Sequence, residues 1–298
     1  MSFYTSFQCN GSETLFLFDI LNIPEAKQLR AELHAAAGRG EAAPSYTQIL
    51  KGLVQDHVIN ISDQEITLEP QVHTLLTACK LSSAVTRLEL FNTDQGRSVT
   101  YGFLSSNLLV EWIWKPMHHQ SVFTSYPSLQ DMFQVLGNRL DMNDTPPEAV
   151  PDLGQESMRT SIGADTLRRL FELEISPAGH GDEQAGISER TEDAKETEAT
   201  DKMQVILEED KHLDQGWVQP LCCSFAALEQ QSRFEVYTRG ADERSQVIYF
   251  IGSTSGNWLF LEGETEDVFT AFIVTEEELV QSLFLLTTRS ISVLPYVR

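Results

Sequence analysis

The sequence predicts an α+β fold arranged as a pseudo-two-fold tandem repeat, on three observations. One phrase occurs twice: Trp112 is followed ten residues later by Val122-Phe123-Thr124-Ser125-Tyr126, and Trp258 ten residues later by Val268-Phe269-Thr270-Ala271-Phe272, both anchors offset by 146 positions. The blocks before and after these anchors match in the same order, from about Ala84 to Leu140 and from about Arg233 to Leu286. Leu88-Glu89-Leu90-Phe91-Asn92 answers to Phe234-Glu235-Val236-Tyr237-Thr238, and Leu129–Leu136 to Leu279–Leu286. The blocks also change period from strand to helix. Short runs rich in Val, Phe, Tyr and Trp are separated by polar turns such as Asp94-Gln95-Gly96, as in antiparallel strands joined by hairpins. Each copy then ends in apolar residues at helical spacing: Leu129, Met132, Phe133 and Leu136, then Leu279, Leu283 and Leu286. Internal repetition constrains the fold before any single element does. A helix covers only one sheet face, so two such units are expected to share a core.

Along the chain, Thr14–Leu21 is apolar enough for a strand or the start of a buried helix. Glu25 to Ala37 reads as a helix, with Pro24 at its entry, Leu29 and Leu33 on one face, and Gly38 as its stop. Ser45 is placed as an N-cap, and Ile49, Leu50, Leu53 and Val54 give the next helix its buried stripe. Ile59–Leu68 is a short β-like patch interrupted at Ser62-Asp63. Glu69-Pro70 opens a third helix with Val72, Leu75, Leu76 and Cys79 inward. Gln219-Pro220 opens an equivalent, shorter helix before the second meander. Between the copies, 143–154 holds three prolines and suits an extended linker. Met158–Leu173 is expected to be helical, carrying Leu167, Leu170 and Phe171. His180–Asp201 has eight Asp/Glu against two Lys/Arg and no aromatic residue. Such a stretch buries too little to offset its ordering entropy, so a disordered loop is expected. The organisation is thus residues 1–140, a helical preface with the first unit; 141–216, a linker with one or two helices and the acidic loop 180–201; and 217–298, the second unit.

Charge narrows the function classes. The 298-residue chain carries 44 Asp/Glu against 21 Lys/Arg, a net charge of −23. That disfavours a nucleic-acid partner, since such affinity rests on cations neutralising phosphate, and equally disfavours docking on anionic lipid. No apolar run approaches the ~20 residues a membrane span requires, and the N-terminus lacks a basic segment ahead of an apolar one. Four cysteines, two of them adjacent, do not make a disulfide framework. A reducing cytoplasm is the expected location.

Motifs of chemistry are missing. The sequence has no Walker loop, dinucleotide-binding glycine pattern, zinc-binding His/Cys spacing or nucleophile elbow. No catalytic residue, cofactor or metal site is therefore expected, and the chain is read as a non-enzyme. His118-His119 is the nearest candidate metal pair, but adjacent strand residues point to opposite faces. Cys222-Cys223 is read as a pair of small packed hydrophobes and not as a redox couple. Trp112, Trp258 and Trp114 are assigned to the core because both copies use these positions. Glu111, Asp131 and Glu235 are available carboxylates, and nothing in the sequence pairs them.

A helical preface ending in the phrase from Asp63 to Lys80 (D-x-x-I-T-L-x-P-x-V-x-x-L-L) leads into a meander with a closing helix, then a linker and a shortened second copy. This layout resembles the EspG family of type VII (ESX) secretion chaperones. The resemblance implies a cytosolic chaperone or adaptor without catalysis. Its partners would be helical-hairpin secreted proteins, PE/PPE- or WXG-like, kept soluble until export. The family's use of sheet loops and helical parts places the partner-binding residues at Ser105, Ser106 and Asn107, and at Leu167, Leu170 and Phe171. Beside an enzyme with unrecognised carboxylate chemistry on Glu111, Asp131 and Glu235, two non-catalytic alternatives stay open. One is a winged-helix regulator built on Ser45–Lys80, whose second helix offers only Lys80 for phosphate. The other is a non-catalytic interaction module of another role.

Overall fold

The computed structural model describes residues 5–37, 44–62, 65–93, 96–106, 108–140, 142, 159–173, 192–239, 245–263, 265 and 267–292. The chain begins with strand β1 (Ser6–Asn10) and helix α1 (Gly11–Leu21), then α2 (Ala26–Ala37) and α3 (Tyr46–Gln55). A small hairpin follows, β2 (Ile59–Ser62) and β3 (Glu65–Leu68), and then α4 (Pro70–Leu81). The first meander is β4 (Ala84–Asn92), β5 (Gly96–Leu104), β6 (Leu109–Lys115) and β7 (Gln120–Tyr126), closed by α5 (Leu129–Leu140). Next come β8 (Arg159–Gly163), α6 (Ala164–Glu172), α7 (Glu192–Glu208) and α8 (Val218–Ala226). The second meander is β9 (Leu228–Thr238), β10 (Ser245–Ser253), β11 (Trp258–Glu262) and β12 (Val268–Ile273), closed by α9 (Glu276–Ser292).

Local chemistry accounts for the helix starts. Asn10 and Ser45 form capping boxes with Glu13 and Gln48, satisfying the first orphan N–H groups of α1 and α3. Pro70 enters α4 where its missing N–H costs nothing. The element that Thr14–Leu21 left open is helical, and β1 precedes it.

Ten strands form one antiparallel sheet in the order β1-β7-β6-β5-β4-β9-β10-β11-β12-β8. The two meanders meet along β4 and β9, from Ala84 opposite Thr238 to Asn92 opposite Gln230. Each meander runs outward and gains one strand that precedes it in sequence, β1 on β7 and β8 on β12. One sheet face carries two aromatic cores. Tyr101, Phe103, Trp112, Trp114 and Phe123 pack beneath Leu17, Phe18, Leu53, Leu75 and Leu76 of the N-terminal helices. Ile251, Trp258, Phe260 and Ala271 pack beneath Leu167, Leu170, Met203, Leu207, Leu221 and Phe225. Both anchor tryptophans are buried, and each indole N–H donates to a serine: Trp112 to Ser121 Oγ at 3.1 Å, Trp258 to Ser224 Oγ at 2.9 Å. The opposite face holds a third core at the centre, where Leu88, Phe234, Val236, Ile248 and Phe250 meet Met132, Phe133 and Leu136 of α5 and Leu279 and Leu283 of α9.

On the first face the two aromatic cores are separated at the seam by charge. Arg87 lies opposite Glu235 and Glu89 opposite Arg233, with further contacts Arg87–Glu89 and Arg233–Glu235 along each strand. A second tie crosses the seam beside α2. Glu25, 1% exposed, accepts from Tyr237 Oη at 2.9 Å and pairs with Arg239.

Four sequence expectations need correction. Arg159–Gly163 is a strand, not the first turn of a helix, because its backbone completes the edge of β12. β8, α6 and α7 are therefore not linker: they supply the outer strand and part of the cover of the second half. The last part of the acidic tract, Glu192–Asp201, is the first half of α7, anchored by Met203, Ile206 and Leu207 in the core; 180–191 lies outside the described residues. The anchors also slip. Phe123 sits directly opposite Trp112, whereas Trp258 sits opposite Ile273, and Phe269, only half-buried, lies opposite Glu262, four residues along β11. A shared offset in sequence is thus not a shared register.

Candidate protein-docking surface

The structure does not bring the sequence-predicted partner residues together. Ser105 and Ser106 sit in the β5–β6 connection, where Ser105 Oγ donates to the Leu108 carbonyl at 2.7 Å and accepts from its N–H at 3.2 Å. Ser106 is exposed, and Asn107 lies outside the described residues. Leu167 and Leu170 are buried, at 2% and 0% exposure, so they hold α6 on the sheet and cannot meet a partner. Phe171 is half-buried among the rings of Phe225, Tyr249 and Phe260. Six strand spacings separate β5 from β8 in the sheet order, roughly 29 Å at ~4.8 Å each. The apolar stripe of α6 was visible in the sequence. Which way it faces was not.

Exposed apolar side chains gather elsewhere, on the N-terminal helices. The β2–β3 hairpin pairs Ile59 with Leu68 and Ile61 with Ile66 on one side. Ile59 is buried, but Ile61 and Ile66 remain 53% and 47% exposed, because the hairpin projects past the helices that cover its base. Ile20 of α1 and Tyr46 of α3 are 50% and 57% exposed, and the Tyr46 ring meets Phe16 edge-on at 5.5 Å. Phe16, Ile20, Ile59, Ile66, Leu68 and Pro70 line an open cleft of about 660 Å³, together with the uncharged Thr67, His73 and Thr74. No Asp, Glu, Lys or Arg lines it, in a chain of net charge −23. An uncharged apolar concavity among acidic surface is a protein-docking feature. The Asn10 capping box fixes the entry of α1, and Pro70 opens α4, the two helices that line it beside the hairpin. Sequence reasoning recorded the β-like patch but missed its exposure; the usable signal was Ile61 and Ile66 in a hairpin too short to cover them.

No family model and no curated protein matches the chain in sequence. Among solved structures it is similar to EspG5, a chaperone of the Mycobacterium tuberculosis type VII secretion system, determined in complex with the PE25–PPE41 dimer. The TM-score is 0.58 over 98% of both chains, at 8% identity. The fold is EspG-like.

Next to the apolar cleft of this EspG-like fold lies a polar one of about 890 Å³, between β1, α1, the α3–β2 turn and the β6–β7 connection. Glu13, Asp56, His57, His118 and His119 line it. Burial is the main cause that raises the Glu13 carboxyl above its ordinary 4.5; the Asn10 backbone N–H acts against this, and Asp56 adds to it. His118 closes a single 3₁₀ turn, and His119 follows in a left-handed conformation at φ 48°. Among the described residues no three metal-ligating side chains converge. The carboxylates singled out in the sequence are engaged separately: Glu111 with Arg139 and Tyr126, Asp131 accepting from the Ser128 hydroxyl, Glu235 with Arg233 and Ser245. Burial pushes the Cys9 thiol up to about 12 and raises Cys79 and Cys222, so none of the three is primed as a nucleophile. Among the described residues, no helix is long and apolar enough to cross a membrane.

Proposed function

We propose that the chain is a cytoplasmic, non-catalytic chaperone or adaptor of a type VII-like secretion system, which binds helical-hairpin secreted proteins and keeps them soluble. The observation that carries this reading is the likeness to EspG5 over nearly the whole of both chains, EspG5 being a chaperone found with a PE–PPE dimer. The cleft lined by Ile20 and Ile66, with the exposed Tyr46 and Ile61 on the same N-terminal elements, supports it, because an apolar helical client needs an apolar, uncharged receptor surface. The same reading takes the two halves as copies of one unit about a pseudo-two-fold axis between β4 and β9. In support, Arg87-Leu88-Glu89 and Arg233-Phe234-Glu235 meet antiparallel there, with Leu88 opposite Phe234. On that axis the unit runs from the edge strand to the closing helix, β1 to α5 and β8 to α9.

The winged-helix alternative draws less support. The outward side of α4 presents Gln71, His73, Thr74 and Lys80, a single full positive charge for a phosphate backbone.

Co-expression with a helical-hairpin client is the test. A soluble complex on gel filtration is expected, with the client insoluble alone. Ile61→Asp with Ile66→Asp should abolish the complex with only a small fall in melting temperature, since both side chains are about half exposed and the two new charges merely face each other in the hairpin. A client that stays bound to this double variant moves the surface elsewhere. Failure of every hairpin client to be solubilised removes the chaperone reading.

A further inference from the structure

The sheet face opposite the aromatic cores carries a second groove, about 780 Å³, between α5 and α9. Its floor is apolar: the half-buried Val280 and Phe284, with the buried Phe133 beneath them. The two helices come close at Gly137, where a Cβ would stand 3.1 Å from Val280 Cγ2, which keeps the floor continuous. One wall is the exposed ridge Gln130, Gln134 and Asn138 at successive i, i+4 positions of α5. The other is Glu277 and Gln281 of α9, a ridge that Leu285, 45% exposed, extends by one turn.

We propose that this groove docks one amphipathic helix of a protein partner, with its apolar stripe on Val280, Phe284 and Leu285 and Lys or Arg on the flank beside Glu276 and Glu277. Two arguments select that occupant. The groove is walled by helices whose backbone N–H and C=O groups are spent internally, so it offers no strand edge to an extended peptide. A helix arrives with its own backbone satisfied and needs only side-chain complementarity. The charged residues of the lining are both acidic, Glu276 and Glu277, beside neutral amides, so basic flanks are attracted and acidic ones repelled. A second copy of this chain, equally negative, is disfavoured on the same ground. The groove lies across the sheet from the apolar cleft, so the proposal stands apart from the client reading and implies a chaperone able to hold two partners at once.

The experiment is fluorescence anisotropy of labelled synthetic helices against the full chain. The probe has about 18 residues, ~27 Å as a helix, close to the length of α9. It carries Leu at i, i+3, i+4 and i+7 with either Lys or Glu flanks. The Lys-flanked peptide is expected to bind at least tenfold more tightly than the Glu-flanked one. Glu277→Lys should narrow or invert that preference, and Leu285→Asp should weaken the Lys-flanked peptide several-fold; both positions are exposed, and far-UV circular dichroism of each variant should match the parent. Ile61→Asp with Ile66→Asp should leave peptide binding as in the parent, which separates this surface from the client cleft. Equal binding of the two peptides, no binding of either, or a preference unmoved by Glu277→Lys overturns the proposal.

Discussion

Arg139→Met removes one partner of a buried ion pair while keeping most of the side-chain volume. Glu111 on β6 is 2% exposed and faces the underside of α5. Its carboxylate accepts from Tyr126 Oη at 2.9 Å and from both terminal nitrogens of Arg139, in the last turn of α5. Without the guanidinium, Tyr126 is the remaining donor among these, and the charge stays in a low-dielectric layer. Removing one member of such a pair costs about 3–5 kcal/mol. Unfolding entropy near ~2.1 cal/mol/K per residue gives ~0.6 kcal/mol per degree for a chain of this length, so the melting temperature should fall by about 5–8 °C. Calorimetry on the single variant, on Glu111→Leu and on the double variant supplies the assay. The double variant should recover most of the loss, because an apolar pair of similar volume replaces a buried ion pair at little cost. A shift within about a degree for Arg139→Met, or a double variant no better than its parents, would refute the assignment of Glu111–Arg139 as a buried, mutually dependent pair.

Other outcomes follow from the same coordinates. Because burial raises the Glu13 carboxyl, its contribution to stability is fully present below 4.5 and is lost as pH rises through the folded value. Glu13→Gln, which keeps a capping-box acceptor, should therefore flatten the fall in melting temperature from pH 4.5 upward, read by scanning fluorimetry across pH; an unchanged slope contradicts this. Gly11→Ala would set a Cβ 2.5 Å from Trp114 Cη2 and 2.9 Å from Leu33 Cδ2. A loss of about 1–3 kcal/mol is expected, checked by urea denaturation. In native protein a maleimide should label the half-exposed Cys223 and spare Cys9, Cys79 and Cys222 until denaturant is added, as mass spectrometry of digests would show.

Local and short-range features were legible in the sequence. Capping residues, Pro70, the alternating strands of both meanders and the amphipathic stripes of α5 and α9 state their conformation within a few residues, since hydrogen-bond satisfaction and period act at that range. The tryptophans could be placed in the core for the same reason: two similar contexts used one residue type. Where the outcome rested on distant backbone, tertiary structure decided it. Arg159–Gly163 becomes a strand because the free edge of β12 takes its hydrogen bonds, and nothing within β8 itself announces that edge. Glu192–Asp201 is helical because the residues after it are held under the second core. Phe269 matches Phe123 in sequence yet sits four residues out of register, since strand pairing answers to the whole sheet and not to one motif. The docking surface divides in the same way. Composition could say that Leu167 and Ile66 are both apolar, but exposure is a property of what else arrives, and only the assembled helices and hairpin bury the first and leave the second in water.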